Sequence, residues 1–168
     1  MRVGVTGTPG TGKTTATELV DTDLEILHLN EHIRAEGLQT RVDEDRESVV
    51  ADLEAVRESL ADRGEILVES HLAHHLDLDR VIVLRCAPET VEERLIERGE
   101  SAASARENAE SEALDVILSE AVRAHGRDSV YEIVTTEHSP GETASAIEAV
   151  IAGDREPSAG TVDYTEYL

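Results

Sequence analysis

The chain is short of the residues that usually staple a fold or stack on a base. Its single cysteine, Cys86, excludes a disulfide framework, and its apolar surroundings mark it as a small core residue. Trp and Phe are absent, and Tyr occurs only as Tyr131, Tyr164 and Tyr167, so an aromatic platform for bases is largely missing. Any purine bound here must lie against arginine planes and aliphatic side chains. The lack of a long apolar segment or signal peptide predicts a soluble, cytoplasmic protein with no membrane association. Positive charge is also scarce: 15 Lys and Arg against 37 Asp and Glu leave a formal net charge of -22. That balance argues against broad, sequence-independent binding to nucleic acid, which needs a basic footprint.

Lysine is the rarest cation. Lys13 is the only one, and every other basic residue is arginine. A chain that has discarded lysine elsewhere and keeps it at this position is using it there. The acidic residues are spread along the chain rather than gathered in a tail. This pattern resembles the proteins of salt-in halophiles, where high ionic strength screens the self-repulsion of such a charge. At 168 residues the chain makes one domain with room for a real core.

Around Lys13 lies the most informative stretch, Gly7-Thr8-Pro9-Gly10-Thr11-Gly12-Lys13-Thr14-Thr15. It fits the phosphate-binding pattern G-x-x-x-x-G-K-[ST]. The glycines let the backbone turn tightly and approach an anion. The loop's N–H groups converge on phosphate oxygens. Lys13 brings a point charge to the β- and γ-phosphates, and Thr14 offers a hydroxyl to Mg²⁺. Arg2 to Thr6 reads as the strand before the loop, and Lys13 to Val20 as the helix whose N-terminus faces the phosphates.

Further along, Leu24 to Leu29 reads as a strand, and Asn30 as the cap of a helix that Gly37 ends. Leu38 to Asp45 reads as irregular. Val49, Leu53, Val56 and Leu60 predict an amphipathic helix over Arg46 to Arg63. Ile66 to Val68 and Val81 to Leu84 are short apolar runs of the kind buried on both faces of a parallel sheet. Pro88 opens a helix to Arg98. Gly99 to Ser104 has the composition of a hinge, and one long helix is expected from Ala105 to about His125. Tyr131 to Thr135 reads as the last strand, and Ser139-Pro140-Gly141-Glu142 as a capped helix start. The expected fold is α/β: a P-loop NTPase with a parallel sheet of about five strands and helices on both faces, over residues 1–152. Residues 153–168 form a polar tail, either disordered or docked through its tyrosines.

A P-loop enzyme needs an acid at the end of a second apolar strand to orient Mg²⁺ and its waters, and Glu69 stands there; the alternative is a solvated strand-end acid. His71, two residues on, could touch a water or the γ-phosphate as proton carrier or polar gate. His71, His74 and His75 also have the spacing of a metal face, but no cysteine or supporting partner accompanies them, and His74 and His75 read as surface residues. Arg98, before the Gly99 loop, could swing onto the nucleotide. Arg34 could hold an acceptor phosphate, and Arg106 lies beyond the loop. Each arginine could instead pair with surface carboxylates.

The GTPGTGKTT, ILVESHL and RLIERGES stretches, with RENAESEALDVI after them, resemble the adenylate kinase isoenzyme 6 family over roughly residues 1 to 150. Together with the acidity, this points to a halophilic archaeon. The resemblance implies a nucleoside-monophosphate-kinase-like fold, with a monophosphate-binding region at about 30–53 and a lid at about 97–107. It implies ATP contacts at Gly10, Gly12, Lys13, Thr14, Thr15 and Arg98, and with AMP as acceptor the phosphate that Arg34 could hold is that of AMP. Lys13, Glu69, His71 and Arg98 would be catalytic, with Mg²⁺ held by Thr14 and, through water, by Glu69. The implied activities are broad-specificity phosphoryl transfer from ATP to AMP, and ATP hydrolysis. The second is linked to small ribosomal subunit maturation and rRNA processing through a small-subunit ribosomal protein, the universal S-eleven protein. An ATPase switch that releases that protein, or a kinase for another small acceptor, are the alternatives. Two departures stand out: Glu69 occupies a position where the family commonly has Asp, and the lid is short with few arginines.

The charge makes a first prediction. Melting temperature should rise from dilute buffer to molar KCl as salt screens the repulsion. A melting temperature that is flat or falling over that range would remove the halophilic reading.

Overall fold

The computed structural model describes residues 1–43 and 48–168, with the backbone alone for 40–43 and 48–49. In chain order the elements are β1 (Arg2–Thr6), α1 (Lys13–Thr17), β2 (Glu25–His28), α2 (Leu29–Glu36), β3 (Gln39–Asp43), β4 (Ser48–Ala51) and α3 (Leu53–Ser59). Then follow β5 (Ile66–Glu69), β6 (Arg80–Arg85), α4 (Pro88–Glu97), α5 (Ala102–Ala113), α6 (Val116–His125), β7 (Val130–Val134) and α7 (Pro140–Ala152). Five strands pair in parallel in the order β2-β5-β1-β6-β7. This is the expected α/β sheet. Its central strand, β1, runs directly into the glycine loop, so that loop emerges at the carboxyl edge where ligands of open α/β sheets bind.

Side-chain alternation divides the core into two layers. Ile66, Val68, Val81 and Val83 pack with Leu29, Ile33, Val56, Leu60 and Leu118. Leu67, Ile82 and Leu84, with Val3 and Val5, pack with Ala16, Ile147 and Val150. Apolar residues at every position of a strand are what burial on both faces requires. A smaller cluster of Cys86, Val91, Leu95 and Ala105 joins α4 to α5, with Cys86 fully buried as expected.

Four local expectations are corrected. The helix predicted from Arg46 begins only at Leu53, because the Asp52 carboxylate accepts from Ala55 N (3.2 Å) and caps it there. Ahead of it, β3 and β4 form an antiparallel hairpin in place of the expected irregular stretch and first helical turns. Asp45 and Arg46, where loop and helix were expected to meet, lie outside the described residues. Asn30 is inside α2 rather than at its cap, and its Oδ1 accepts from Ser70 Oγ (2.8 Å). The hinge is shorter than predicted, since Ser101 Oγ accepts from Ser104 N (3.1 Å) and starts α5 at Ala102.

The fourth correction concerns the long helix after Ala105, which is two helices. Asp115 breaks it with φ 55, a left-handed conformation that Asp tolerates better than most residues. Arg85 holds the break. Its guanidinium donates to Glu112 Oε1 (2.8 Å), to the Glu112 carbonyl (3.1 Å), to Asp115 Oδ1 and to Glu132 Oε1 (2.6 Å). Arg85 is 1% exposed. Burial opposes its charge, but Glu112 and Asp115 outweigh that and hold its proton more tightly than usual.

The tail, residues 153–168, docks onto the domain. Thr161 donates through N and Oγ1 to Glu132 Oε2 (2.8 and 2.9 Å). Ser158 N donates to the Val130 carbonyl (3.1 Å), and Ser158 Oγ accepts from Glu132 N (2.9 Å). Tyr164 lies over Arg85 at 5.5 Å, and Tyr167 donates to Glu92 Oε2 (2.7 Å). The docked alternative therefore describes the tail.

Arg85→Met should destabilise the protein by about 3–5 kcal/mol, because Glu112 and Glu132 would stay buried without their counter-charge. Arg85→Lys should recover little, since one ammonium cannot reproduce the planar fork. Denaturant unfolding in molar KCl measures both; wild-type stability in Arg85→Met would refute the role given to this residue.

Candidate active site

Building the glycine loop requires two backbone liberties. A Cβ at Gly7 would meet the Leu84 carbonyl at 2.7 Å and Thr11 Oγ1 at 2.8 Å. Gly12, which starts α1, has φ 90, a conformation that L side chains rarely adopt. The loop is then braced by its neighbours. Thr8 Oγ1 donates to Glu112 Oε2 (2.6 Å), Thr135 Oγ1 to the Thr11 carbonyl (2.9 Å) and Arg94 Nη1 to the Gly10 carbonyl (3.1 Å).

Lys13 is 8% exposed. Its ammonium folds back onto the loop and donates to the carbonyls of Gly7 (2.9 Å) and Thr8 (3.1 Å). Burial pulls its pKa down to about 8; Glu69 opposes the fall and Arg98 adds to it. A phosphate entering the loop would supply the negative charge that this ammonium lacks.

Opposite Lys13, Thr14 Oγ1 donates to Glu69 Oε1 (3.3 Å), and the other carboxylate oxygen of Glu69 meets His28 Nδ1 at 2.8 Å. A hydroxyl and a carboxylate side by side are hard oxygen donors, which suits a small divalent cation such as Mg²⁺. His28 fixes the rotation of that carboxylate. It was not singled out from the sequence, although it ends β2 as Glu69 ends β5, and the two residues pair in register.

All nine residues expected at the site, namely Gly10, Gly12, Lys13, Thr14, Thr15, Arg34, Glu69, His71 and Arg98, line one cleft of about 520 Å³. Asn30 and Ile33 of α2 line it too. Burial, then the charges of Lys13, His74 and His75, pull the His71 pKa down to about 4, so its imidazole is neutral at ordinary pH. Arg98 and Arg34 are exposed and form no ion pair among the described residues. Arg106 instead pairs along its own helix, with Nε 3.2 Å from Glu110 Oε1. The surface reading of His74 is corrected: it is 1% exposed, bonded to Thr6 and Glu120.

A second cleft of about 380 Å³ shares Gly10, Gly12, Thr15 and Arg98 with the first and adds Arg94, Thr135 and His138. Those three are scattered between α4 and the loop after β7, and no sequence pattern drew attention to them.

A glycine loop between a parallel strand and a helix, a buried lysine at its turn and the strand order around it define a P-loop fold of the nucleoside-monophosphate-kinase type. Solved structures agree at the level of fold. Shikimate kinase from Bacteroides thetaiotaomicron aligns with a TM-score of 0.57 at 15% identity, over 90% of this chain and 98% of that one. A sulfotransferase from Alicyclobacillus acidocaldarius aligns with a TM-score of 0.59 at 11% identity, over 98% of this chain and 87% of that one. The family described as AAA domain matches residues 3–115. A protein of Natronomonas pharaonis named "Putative adenylate kinase" is 66% identical over the full length of both chains. The chain belongs to the same family as that halophile protein.

The lysine makes a prediction with a defined sign. Between pH about 8 and 10.5 the unfolded chain holds a proton on Lys13 that the folded, ligand-free chain has released. Unfolding takes up that proton, so the contribution of Lys13 to stability rises with pH through this window. Melting temperatures of wild type and Lys13→Ala, compared across it, should diverge in favour of wild type as pH rises. Parallel curves would show that the ammonium is not perturbed.

Proposed function

We propose that this protein transfers the γ-phosphoryl group of ATP to AMP. The observation that carries the reading is the pair of clefts meeting at Gly10, Gly12, Thr15 and Arg98. A two-substrate kinase needs two such pockets joined at the transferring phosphate. The triphosphate would lie in the glycine loop, with its base toward Arg94, Thr135 and His138. The acceptor would lie in the other cleft, with Arg34 on its phosphate and Ile33 against its base. Lys13 would neutralise charge on the β- and γ-oxygens. Arg98, exposed and unpaired among the described residues, would cover the group in flight. Thr14 and Glu69 would hold Mg²⁺, the second through water; when bound, that ion screens phosphate charge. The proposed division is a core of 1–152 with a monophosphate region at 30–53, containing the β3–β4 hairpin, and a lid at 97–107. The relative's name supports AMP as acceptor.

One observation favours hydrolysis as a second activity. His71 lines the same cleft as Lys13 and Glu69. A neutral imidazole there can accept a hydrogen bond from a water and hold it in place as the acceptor. A role in small ribosomal subunit maturation, through a ribosomal protein, is supported by the family resemblance alone.

The test is ADP formation from ATP and Mg²⁺ in molar KCl, alone and with each nucleoside monophosphate. Addition of AMP should raise ADP output, and Lys13→Ala should lose both activities by about 10²-fold or more. His71→Ala should lower hydrolysis by about 10²-fold and transfer far less. Greater output with another monophosphate would replace AMP as acceptor, and equal losses in His71→Ala would remove that residue from the choice between water and nucleotide.

A further inference from the structure

The connection from β5 to β6 carries His74 and His75 on one short 3-10 turn, and neither lines the two clefts. His74 Nε2 lies 2.7 Å from Glu120 Oε2 on α6, and His75 Nε2 lies 3.8 Å from the same oxygen. The three ligand atoms sit within 4.8 Å of one another, and they are the one such group among the described residues. The turn is pinned at consecutive carbonyls. His125 Nε2 donates to the His74 carbonyl (2.7 Å), and Arg57 Nε and Nη2 donate to the His75 carbonyl (3.1 and 2.8 Å).

The other nitrogen of His74 allows Nε2 to do more than donate to Glu120. Nδ1 lies 2.9 Å from Thr6 Oγ1. A hydroxyl can donate or accept, so it satisfies either tautomer of the ring. With Nδ1–H donating to Thr6, the Nε2 lone pair faces a carboxylate oxygen, and a cation held by both relieves that repulsion.

We propose that His74 Nε2, His75 Nε2 and one Glu120 oxygen bind a divalent transition ion of the zinc type, with a fourth position open to water. Two imidazoles and a carboxylate are the donor set of such ions, and Thr6 is the outer hydroxyl that orients a metal-bound imidazole. Mg²⁺ and Ca²⁺, which take oxygen ligands, are poor fits. Ligands about 2.0–2.2 Å from a tetrahedral ion are about 3.3–3.6 Å apart. The present 2.7 and 3.8 Å separations bracket that spacing, and Glu120, 39% exposed, has room to adjust. When His74 starts as the Nε2–H tautomer, that proton moves to Nδ1 as the ion binds and the Thr6 hydroxyl turns from donor to acceptor; no electron transfer is involved. The bound ion cross-links the turn after His71 to α6, so it acts on the cleft from outside. The site depends on no part of the proposed phosphoryl transfer.

The experiment titrates the full-length protein with Zn²⁺, and separately with Co²⁺, in molar KCl with excess Mg²⁺ to occupy oxygen-only sites. Calorimetry should give one equivalent, Co²⁺ should develop the intense visible absorption of four-coordinate geometry, and Zn²⁺ should raise the melting temperature. His75→Ala and Glu120→Gln, at partly exposed positions that leave the core intact, should each weaken binding at least tenfold, and Thr6→Val by about 10- to 100-fold. No saturable binding by wild type, or one equivalent bound equally well by His75→Ala and Glu120→Gln, would overturn the site.

Discussion

A single guanidinium ties together parts of the chain that share no sequence neighbourhood. Arg85 closes β6, draws in Glu132 of β7 and holds the α5–α6 break through Glu112 and Asp115. Glu112 passes the constraint to Thr8 in the phosphate loop, and Glu132 passes it to Thr161 in the tail. Isolated buried charges are expensive, and a guanidinium shared among carboxylates is tolerable here because Glu112 and Glu132 are also hydrogen-bonded elsewhere and Asp115 is partly exposed. Among the described residues no buried side-chain polar atom is without a partner. The loop's shape is therefore held in part by contacts that run from Arg85 through Glu112 to Thr8.

Contiguity decided what could be read in advance. The glycine loop is one unbroken stretch whose spacing carries its own mechanism, and Glu69 and His71 follow directly from the strand they end. The sheet was legible because strands buried on both faces are uniformly apolar. Arg85 was invisible for the opposite reason: its carboxylate partners lie 27, 30 and 47 residues away, and locally it is the polar end of an apolar run. His28 and Thr6 were missed likewise, since each matters through a residue on another strand or turn. The helix errors have a different origin. Apolar spacing over 49–60 fitted a helix, but it carries no information on where an aspartate cap begins one. The left-handed Asp115 is written nowhere in the periodicity of α5 and α6.

Two polar centres flank the β5–β6 connection and use different chemistry. Ahead of the turn, Thr14, Glu69 and His28 gather hard oxygens beside a buried ammonium. Within it, two imidazoles share one carboxylate. His71 lies between them in sequence, and its low proton affinity arises from burial and from the cationic Lys13, with His74 and His75 adding to it. A neutral imidazole next to a phosphate loop is thus a product of the fold around it and not of its own identity.

The docked tail has a consequence for how molecules of this protein coexist. Strand β7 is the last in the sheet, and an open strand invites pairing with another chain. Most proteins discourage that with charges along the edge. In molar salt the screening length shrinks to about 3 Å, and charge no longer keeps neighbours apart. Here the outward backbone groups of Val130 and Glu132 are already taken by Ser158 and Arg155. The chain covers these backbone groups with its own tail, through hydrogen bonds that salt does not screen.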